Sequence, residues 1–247
     1  MNKLKYNNIL VISDNLFLIT AFHELSLGFP GLSITYACSQ NNLTLRTDPG
    51  LPVKLEALAV KTQHSDIVSR YDLVFSLHCK QFFPIELVSK VKCINVHPGY
   101  NPHNRGWFPQ VFSILNKLPA GVTIHEIDEH LDHGAIIARK EVKINSWDTS
   151  VDIYNNVQQV EVDLLKEYLP AILKGTYQTN VPEMEGNVNL KKDFNELCIL
   201  DLEETVTMGV AIDKLRALTH GNYANGFFID PETGVKVYVK ISLKKEG

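Results

Sequence analysis

The chain has 247 residues, 45% apolar and 21% charged, which suits one large domain, or one domain with a small companion, and excludes intrinsic disorder. Its 24 basic residues against 28 acidic ones leave a formal charge of -4, unlike the strongly basic nucleic-acid binders. Cys38, Cys79, Cys93 and Cys198 are widely spaced with no C-x-x-C pair, which argues against a structural zinc site or disulfide scaffold and fits a reducing cytoplasm.

The N-terminal Met1-Asn2-Lys3-Leu4-Lys5-Tyr6 leads into a strand-like run without the architecture of a signal peptide. Asn8 to Ser13 reads as a buried parallel strand and Leu16 to Leu25 as a helix. The longest apolar stretch, Leu16 to Phe22, is broken by Thr20 and too short to span a bilayer, so a soluble cytoplasmic protein is expected. After the turn cluster Gly28 to Gly31, Leu32 to Ala37 resumes strand character, and Lys54 to Val60 is short and undecided. Tyr71 to Leu77 is a strand, and Pro84 to Val88 opens a helix at a favoured proline position. The next strand, Val91 to Val96, ends at His97-Pro98-Gly99. This order predicts an α/β fold with a doubly wound, mostly parallel sheet, in which ligands bind beyond the carboxyl ends of strands. His97 stands at such an end.

Gly106 to Asn116 has helical spacing, and Val122 to Ile127 and Ala135 to Val142 read as strands. A long helix starts at Thr149 or Ser150, carries a stripe of Val151, Tyr154, Val157, Val160, Leu164, Tyr168 and Ile172, and stops at Gly175. Residues 1–175 are thus expected as the main domain and residues 176–195, polar with Pro182 and Gly186, as a linker. Residues 196–247 are expected as a small α+β region with a helix over Glu204 to Thr219. A hairpin closes it, because alternating Val235, Val237, Val239 and Ile241 follow the turn at Asp230 to Gly234.

Two features invite chemistry. Asn95 and His97, two apart on a strand, project from one face, where unused polar groups are costly. Taken alone, such a pair more often caps a turn. The second feature is His125-Glu126-Ile127-Asp128-Glu129-His130-Leu131-Asp132-His133-Gly134, whose density of histidines and carboxylates suggests a metal but whose spacing does not support one. No metal is expected; Asp128 and Glu129 read as a charged turn, and Asp132 as a group the turn could aim at a site.

Together, Ile94-Asn95-Val96-His97-Pro98, Gly121-Val122-Thr123-Ile124-His125 and Leu131-Asp132-His133-Gly134-Ala135-Ile136-Ile137 resemble the folate-dependent formyltransferase family. The run from Asn95 to Gln110 is similar to the nucleotide-sugar N-formyltransferases. The resemblance covers roughly residues 6 to 175 and implies a Rossmann-like formyltransferase fold. It also implies transfer of a formyl group from N10-formyltetrahydrofolate, without metal, to the amine of a dTDP-amino-dideoxysugar for O-antigen or other surface polysaccharide. Ser13-Asp14-Asn15 carries no glycine after the first strand, which points away from the purine-pathway branch. The acidic chain and short C-terminal region point away from initiator tRNA. Asn101-Pro102-His103-Asn104 replaces the family's leucine-proline-x-tyrosine, and this should reshape the substrate pocket while leaving the chemistry alone. The alternatives are a UDP-sugar, purine or tRNA acceptor, or a non-catalytic nucleotide-binding module suggested by Ile12-Ser13-Asp14.

The resemblance assigns Asn95, His97 and Asp132 to catalysis. Asn95 offers a donor for the oxyanion, His97 a base or its conjugate acid, and Asp132 an orienting or relaying carboxylate; the residues alone leave these roles open. It further implies folate contacts along Phe75, Leu77, Cys79 and Phe82 and around Asp128 and Leu131. Lys80 and Arg105 are the candidates for the sugar diphosphate, and Gly106 and Trp107 are expected among the other substrate contacts. Tyr223 could stack on the thymine with Asn225 nearby, or pack the hairpin or a dimer contact. The apolar strand Val235 to Ile241 would be an unprotected edge in a monomer, so a homodimer is expected, with no nucleic acid or membrane partner.

Overall fold

A computed structural model describes residues 4–246; Met1 to Lys3 of the N-terminal run lie outside the described residues. The first half alternates as the sequence predicts: β1 (Asn8–Ser13), α1 (Leu16–Ser26), β2 (Ser33–Ser39), α2 (Leu43–Arg46), β3 (Leu55–Leu58), α3 (Val60–Arg70), β4 (Leu73–Leu77), α4 (Ile85–Val88) and β5 (Lys92–His97). The short β6 (Arg105–Gly106), α5 (Pro109–Asn116), β7 (Ala120–Glu126), β8 (Ile136–Val142) and the 25-residue α6 (Ser150–Lys174) follow. The undecided Lys54 to Val60 holds β3 and the start of α3. That helix buries only Val60 and Ile67, too little apolar spacing to announce it.

Seven strands form one sheet in the order β3-β2-β1-β4-β5-β7-β8. The first five are parallel, while β7 runs antiparallel to both β5 and β8. The strand order reverses between β1 and β4, and at such a switch point the diverging loops leave a crevice at the carboxyl ends. The α6 stripe differs from expectation. The buried face is Ile153, Val157, Glu161, Leu164, Leu165, Leu169 and Ile172, while Tyr154 sits half-buried beside it. The helix packs on the sheet and is covered by C-terminal elements too, so one apolar stripe does not describe it.

The segment read as a linker is a strap. Asn180 exchanges backbone hydrogen bonds with Ile136, and β9 (Val188–Asn189) pairs with β6. Beyond it come α7 (Lys191–Leu197), α8 (Met208–Leu218), the small ladder β10 (Thr219–His220) with β11 (Tyr223–Ala224), and the hairpin β12 (Gly226–Ile229) with β13 (Lys236–Val239). This region shares the main core: Ala217 and Leu218 are fully buried in the same cluster as Leu169 and Ile172. Arg216 is buried with them and donates to the backbone oxygens of Asp148 and Asn145. Among the described residues no helix is long and apolar enough to cross a membrane.

Candidate active site

The strand β5 ends on Asn95 and His97, and β7 places His125 opposite Asn95 and Thr123 opposite His97. Asp132 comes from the β7–β8 loop with φ 48°, a left-handed conformation that Asp tolerates better than most residues. Its loop is pinned twice. Asn101 Nδ2 donates to the Asp132 backbone oxygen at 2.8 Å, and the Gly106 N–H donates to Asp132 Oδ2 at 3.1 Å. Gly106 has φ 91°, and a Cβ there would collide with the Asn189 backbone oxygen, so only glycine brings the amide this close.

The three polar groups converge. Asn95 Nδ2 donates to Asp132 Oδ1 at 2.9 Å, and His97 Nδ1 stands 3.5 Å from Asp132 Oδ2. A fourth group joins them: His125, almost fully buried, donates from Nδ1 to the Glu126 oxygen at 2.6 Å, which leaves Nε2 to accept from Asn95 at 3.2 Å. Both amide hydrogens of Asn95 are thereby engaged. His97 Nε2 lies buried without a partner among the described residues, beneath Gly99, where a Cβ would collide with the ring.

Burial pushes the His97 imidazole down to about 4, against the pull of Asp132. Burial pushes the Asp132 carboxyl up, but the His97 and His125 imidazoles and the Gly106 amide outweigh it and bring it down to about 2. At neutral pH the pair is therefore a neutral imidazole beside a carboxylate, able to take up one proton and return it. Burial drives the Cys79 thiol up to about 12, which removes it as a nucleophile.

These groups open into a cavity of about 630 Å³, ample for a small ligand. Of the residues expected from the sequence, Asn95, His97, Asp132, Cys79, Phe82, Asp128, Leu131, Lys80, Gly106, Trp107, Tyr223 and Asn225 line it. Phe75 and Leu77 do not. Both are fully buried, with Phe75 5.0 Å from the Phe22 ring, because strand alternation turns Ser76 and His78 to the cavity instead. Arg105 also departs from expectation. It is buried, with Nη2 bonded to Glu185 at 2.6 Å and Nη1 to the Leu131 oxygen at 3.3 Å, so it struts the loop. Tyr223 is 72% exposed at the cavity margin, while Asn225 spends its side-chain amide on the Leu218 oxygen.

Asp128, His130 and His133 offer ligand atoms within 4.8 Å of one another, and His133 Nδ1 is hydrogen-bonded to Asp128 Oδ2 at 2.7 Å, as a charged turn would be. His78, Tyr154 and Glu161 form a connected group beside the switch point; the sequence reading included His78 only within the run expected along the folate, took Tyr154 for the packing stripe of α6, passed over Glu161, and gave His125 no role of its own. His78 follows a strand end, the signal that singled out His97. Glu161 is paired across 83 residues, and no local pattern shows that.

Comparisons with known proteins agree with this geometry. Residues 59–169 match the model described as Formyl transferase, and residues 193–245 match the N-formyltransferase dimerization C-terminal domain. The chain is 50% identical over 198 residues to the dTDP-4-amino-4,6-dideoxyglucose formyltransferase of Mycobacterium tuberculosis, covering 80% of this chain and 82% of that one. A 4-N formyltransferase from Francisella tularensis superposes with a TM-score of 0.91 at 44% identity, over 96% of this chain and 98% of that one. A sugar N-formyltransferase from Shewanella sp FDAARGOS_354 gives 0.90 at 43% identity, over 98% and 99%. A single cavity joining Asn95, His97 and Asp132, in a chain this similar to sugar N-formyltransferases along most of its length, makes it a member of the formyl transferase family and a formyl-transferring enzyme.

Proposed function

We propose that the enzyme moves a formyl group from N10-formyltetrahydrofolate to the amine of dTDP-4-amino-4,6-dideoxyglucose, for use in surface polysaccharide assembly. The observation that carries this reading is the convergence of Asn95, His97 and Asp132 in a chain 50% identical to enzymes of that name. The cavity suits both substrates. Phe82, Ile127 and Leu131 supply apolar surface for a pterin, while Lys80, Tyr154, Ser150 and His220 supply polar contacts for a sugar nucleotide.

The neutral acceptor amine attacks the formyl carbon, forming a C–N bond, and the bond from that carbon to the folate nitrogen then breaks. The amine proton passes to the His97–Asp132 pair and on to the leaving nitrogen, so the pair ends as it began. Asn95 stabilises the oxyanion by turning one N–H from its present partners to the formyl oxygen; the His125 contact, at 3.2 Å, is the longer of the two. A homodimer built through residues 193–245 completes the proposal, supported by the match to a dimerization domain and by exposed Met208, Val210, Val235 and Tyr238.

The test offers N10-formyltetrahydrofolate with dTDP-4-amino and dTDP-3-amino sugars and a UDP-amino sugar, with products weighed by mass spectrometry. A formylated dTDP-4-amino sugar, formed at the highest kcat/KM, is expected. Preference for the UDP-sugar, or no product from either dTDP-sugar, would overturn the reading.

A further inference from the structure

Glu161 is an anomaly. It sits in the middle of α6, fully buried on a face otherwise made of residues such as Val157, Leu164 and Leu165. Burying a carboxylate there is costly unless its partners use it. Its Oε1 accepts from His78 Nε2 at 2.7 Å, and its Oε2 has no partner among the described residues. Neither residue bonds to the cluster of Asn95, His97, Asp132 and His125. His78 lies one residue past β4 at the switch point, has φ 56°, and lines the cavity; left-handed backbone at a non-glycine residue is a mark of functional sites.

The protons of this group can be assigned. Asn15 caps α1, its Oδ1 accepting from the Leu18 N–H at 3.1 Å, so its Nδ2 is the atom facing His78 Nδ1 at 3.3 Å and Tyr154 Oη at 3.1 Å. With Nε2–H given to Glu161, the His78 Nδ1 has one lone pair, which Asn15 Nδ2 and the Tyr154 hydroxyl each approach at 3.3 Å. The second Asn15 N–H goes to the Tyr154 oxygen. Where Asn15 fills that lone pair, the hydroxyl hydrogen of Tyr154, on a side chain that lines the cavity, is free to turn from His78 to a ligand. Burial and the charge of Glu161 raise the Tyr154 phenol above its ordinary value, so it remains a donor.

A diphosphate offers only acceptors, so its site must be built from donors and cations. Among the residues lining the cavity Lys80 is the sole lysine or arginine, since Arg105 is taken up by Glu185. The Tyr154 ring packs 5.5 Å from His220 of the C-terminal region, and His220 is bonded to Ser150, so the donor belongs to this polar wall. We propose that the Tyr154 hydroxyl, its proton directed by the Asn15–His78–Glu161 chain, is a specificity-determining donor to the phosphate oxygens of the acceptor, with His78 and Glu161 as positioning residues. This rests on the dTDP-sugar reading above.

The experiment is calorimetric titration with dTDP, thymidine and tetrahydrofolate, combined with steady-state kinetics. Tyr154→Phe should weaken dTDP about tenfold or more, the worth of one hydrogen bond to a charged group, and leave thymidine and tetrahydrofolate unchanged. KM for the acceptor should rise by a similar factor while kcat moves far less. Glu161→Gln should weaken dTDP in the native background and add nothing in the Tyr154→Phe background; a purely structural role would add in both. If Glu161→Gln fails to fold, His78→Gln takes its place in the cycle. Native-like dTDP affinity in Tyr154→Phe, equal losses for all three probes, or additivity in the cycle would overturn the proposal. A native enzyme that binds tetrahydrofolate but not dTDP would sink the acceptor reading itself, and this proposal with it.

Discussion

His97 is held neutral by burial while the carboxylate beside it is held ionised, and the proposed mechanism uses that asymmetry. Asp132→Asn keeps side-chain size and His97→Asn keeps a smaller planar polar group, and both remove proton transfer, though Asp132→Asn also gives up one accepted hydrogen bond. Each should fold, by circular dichroism, and lose about a hundredfold or more in kcat; near-native turnover in either would remove that residue from the mechanism. Stability should also follow the pair. His97 stays neutral down to about pH 4, whereas an unfolded histidine takes a proton near its ordinary 6.5. Falling pH therefore favours the unfolded chain between 6.5 and 4. Asp132, brought down from 3.8 to about 2, acts with the same sign at lower pH. The urea midpoint should fall from pH 7 to pH 5, with His97 contributing on the order of 2 kcal/mol, and the fall should be shallower in His97→Asn. Equal slopes in the two proteins would contradict the buried neutral imidazole.

At the scale of elements, the site depends on a knot of asparagines that ties the strap to β6. Asn104, fully buried with φ 50°, accepts at Oδ1 from Asn116 and Asn187 at 2.8 Å each and from Asn189 at 3.3 Å. Its own Nδ2 donates to Ser113 at 3.2 Å. The strap and β6 in turn hold the Gly106 amide against Asp132. Asn104→Ala strands the buried Asn189 amide and the half-buried Asn187 amide and should cost on the order of 2 kcal/mol, seen as a lower Tm, and should reduce kcat by displacing Gly106. Asn104→Asp, which keeps the acceptor, should cost less. An unchanged Tm in Asn104→Ala would mean that the strap is held by other contacts. The replacement of the family's leucine-proline-x-tyrosine is therefore structural in part, since Asn104 faces the strap.

At the scale of the molecule, the C-terminal region leaves apolar side chains uncovered: Met208 is 75% exposed, Val235 and Tyr238 each 59%. The β12–β13 ribbon is held to the body on one side only, where Phe227 exchanges backbone hydrogen bonds with Cys198 and Leu200 and packs on the core, while Val237 and Tyr238 of β13 are exposed. The homodimer proposal predicts a dimer by light scattering at micromolar concentration. Val237→Lys combined with Tyr238→Glu should shift it to monomer and lower its Tm. A native monomer at that concentration would refute the dimer.

The alternation of strands and helices was legible in the chain because each buried parallel strand is a short apolar run punctuated by turns. Asn95, His97 and Asp132 stood out because strand ends and a glycine turn are local signals, but it was the resemblance to formyltransferases that assigned them to catalysis. The hairpin followed from strict alternation after a turn. Three things depended on long-range packing. Strand phase turned Phe75 and Leu77 into the core and His78 into the cavity, an outcome set by which face of β4 meets α1. Arg105 was drawn from the cavity by Glu185, 80 residues away, and residues 176–195 became a strap because β6 offered them an unpaired edge. The group of Asn15, His78, Tyr154 and Glu161 joins three distant segments of the chain, the last two residues both lying on α6. No pattern in a single segment encodes it, since its bonds exist only once α6 lies across the switch point of the sheet.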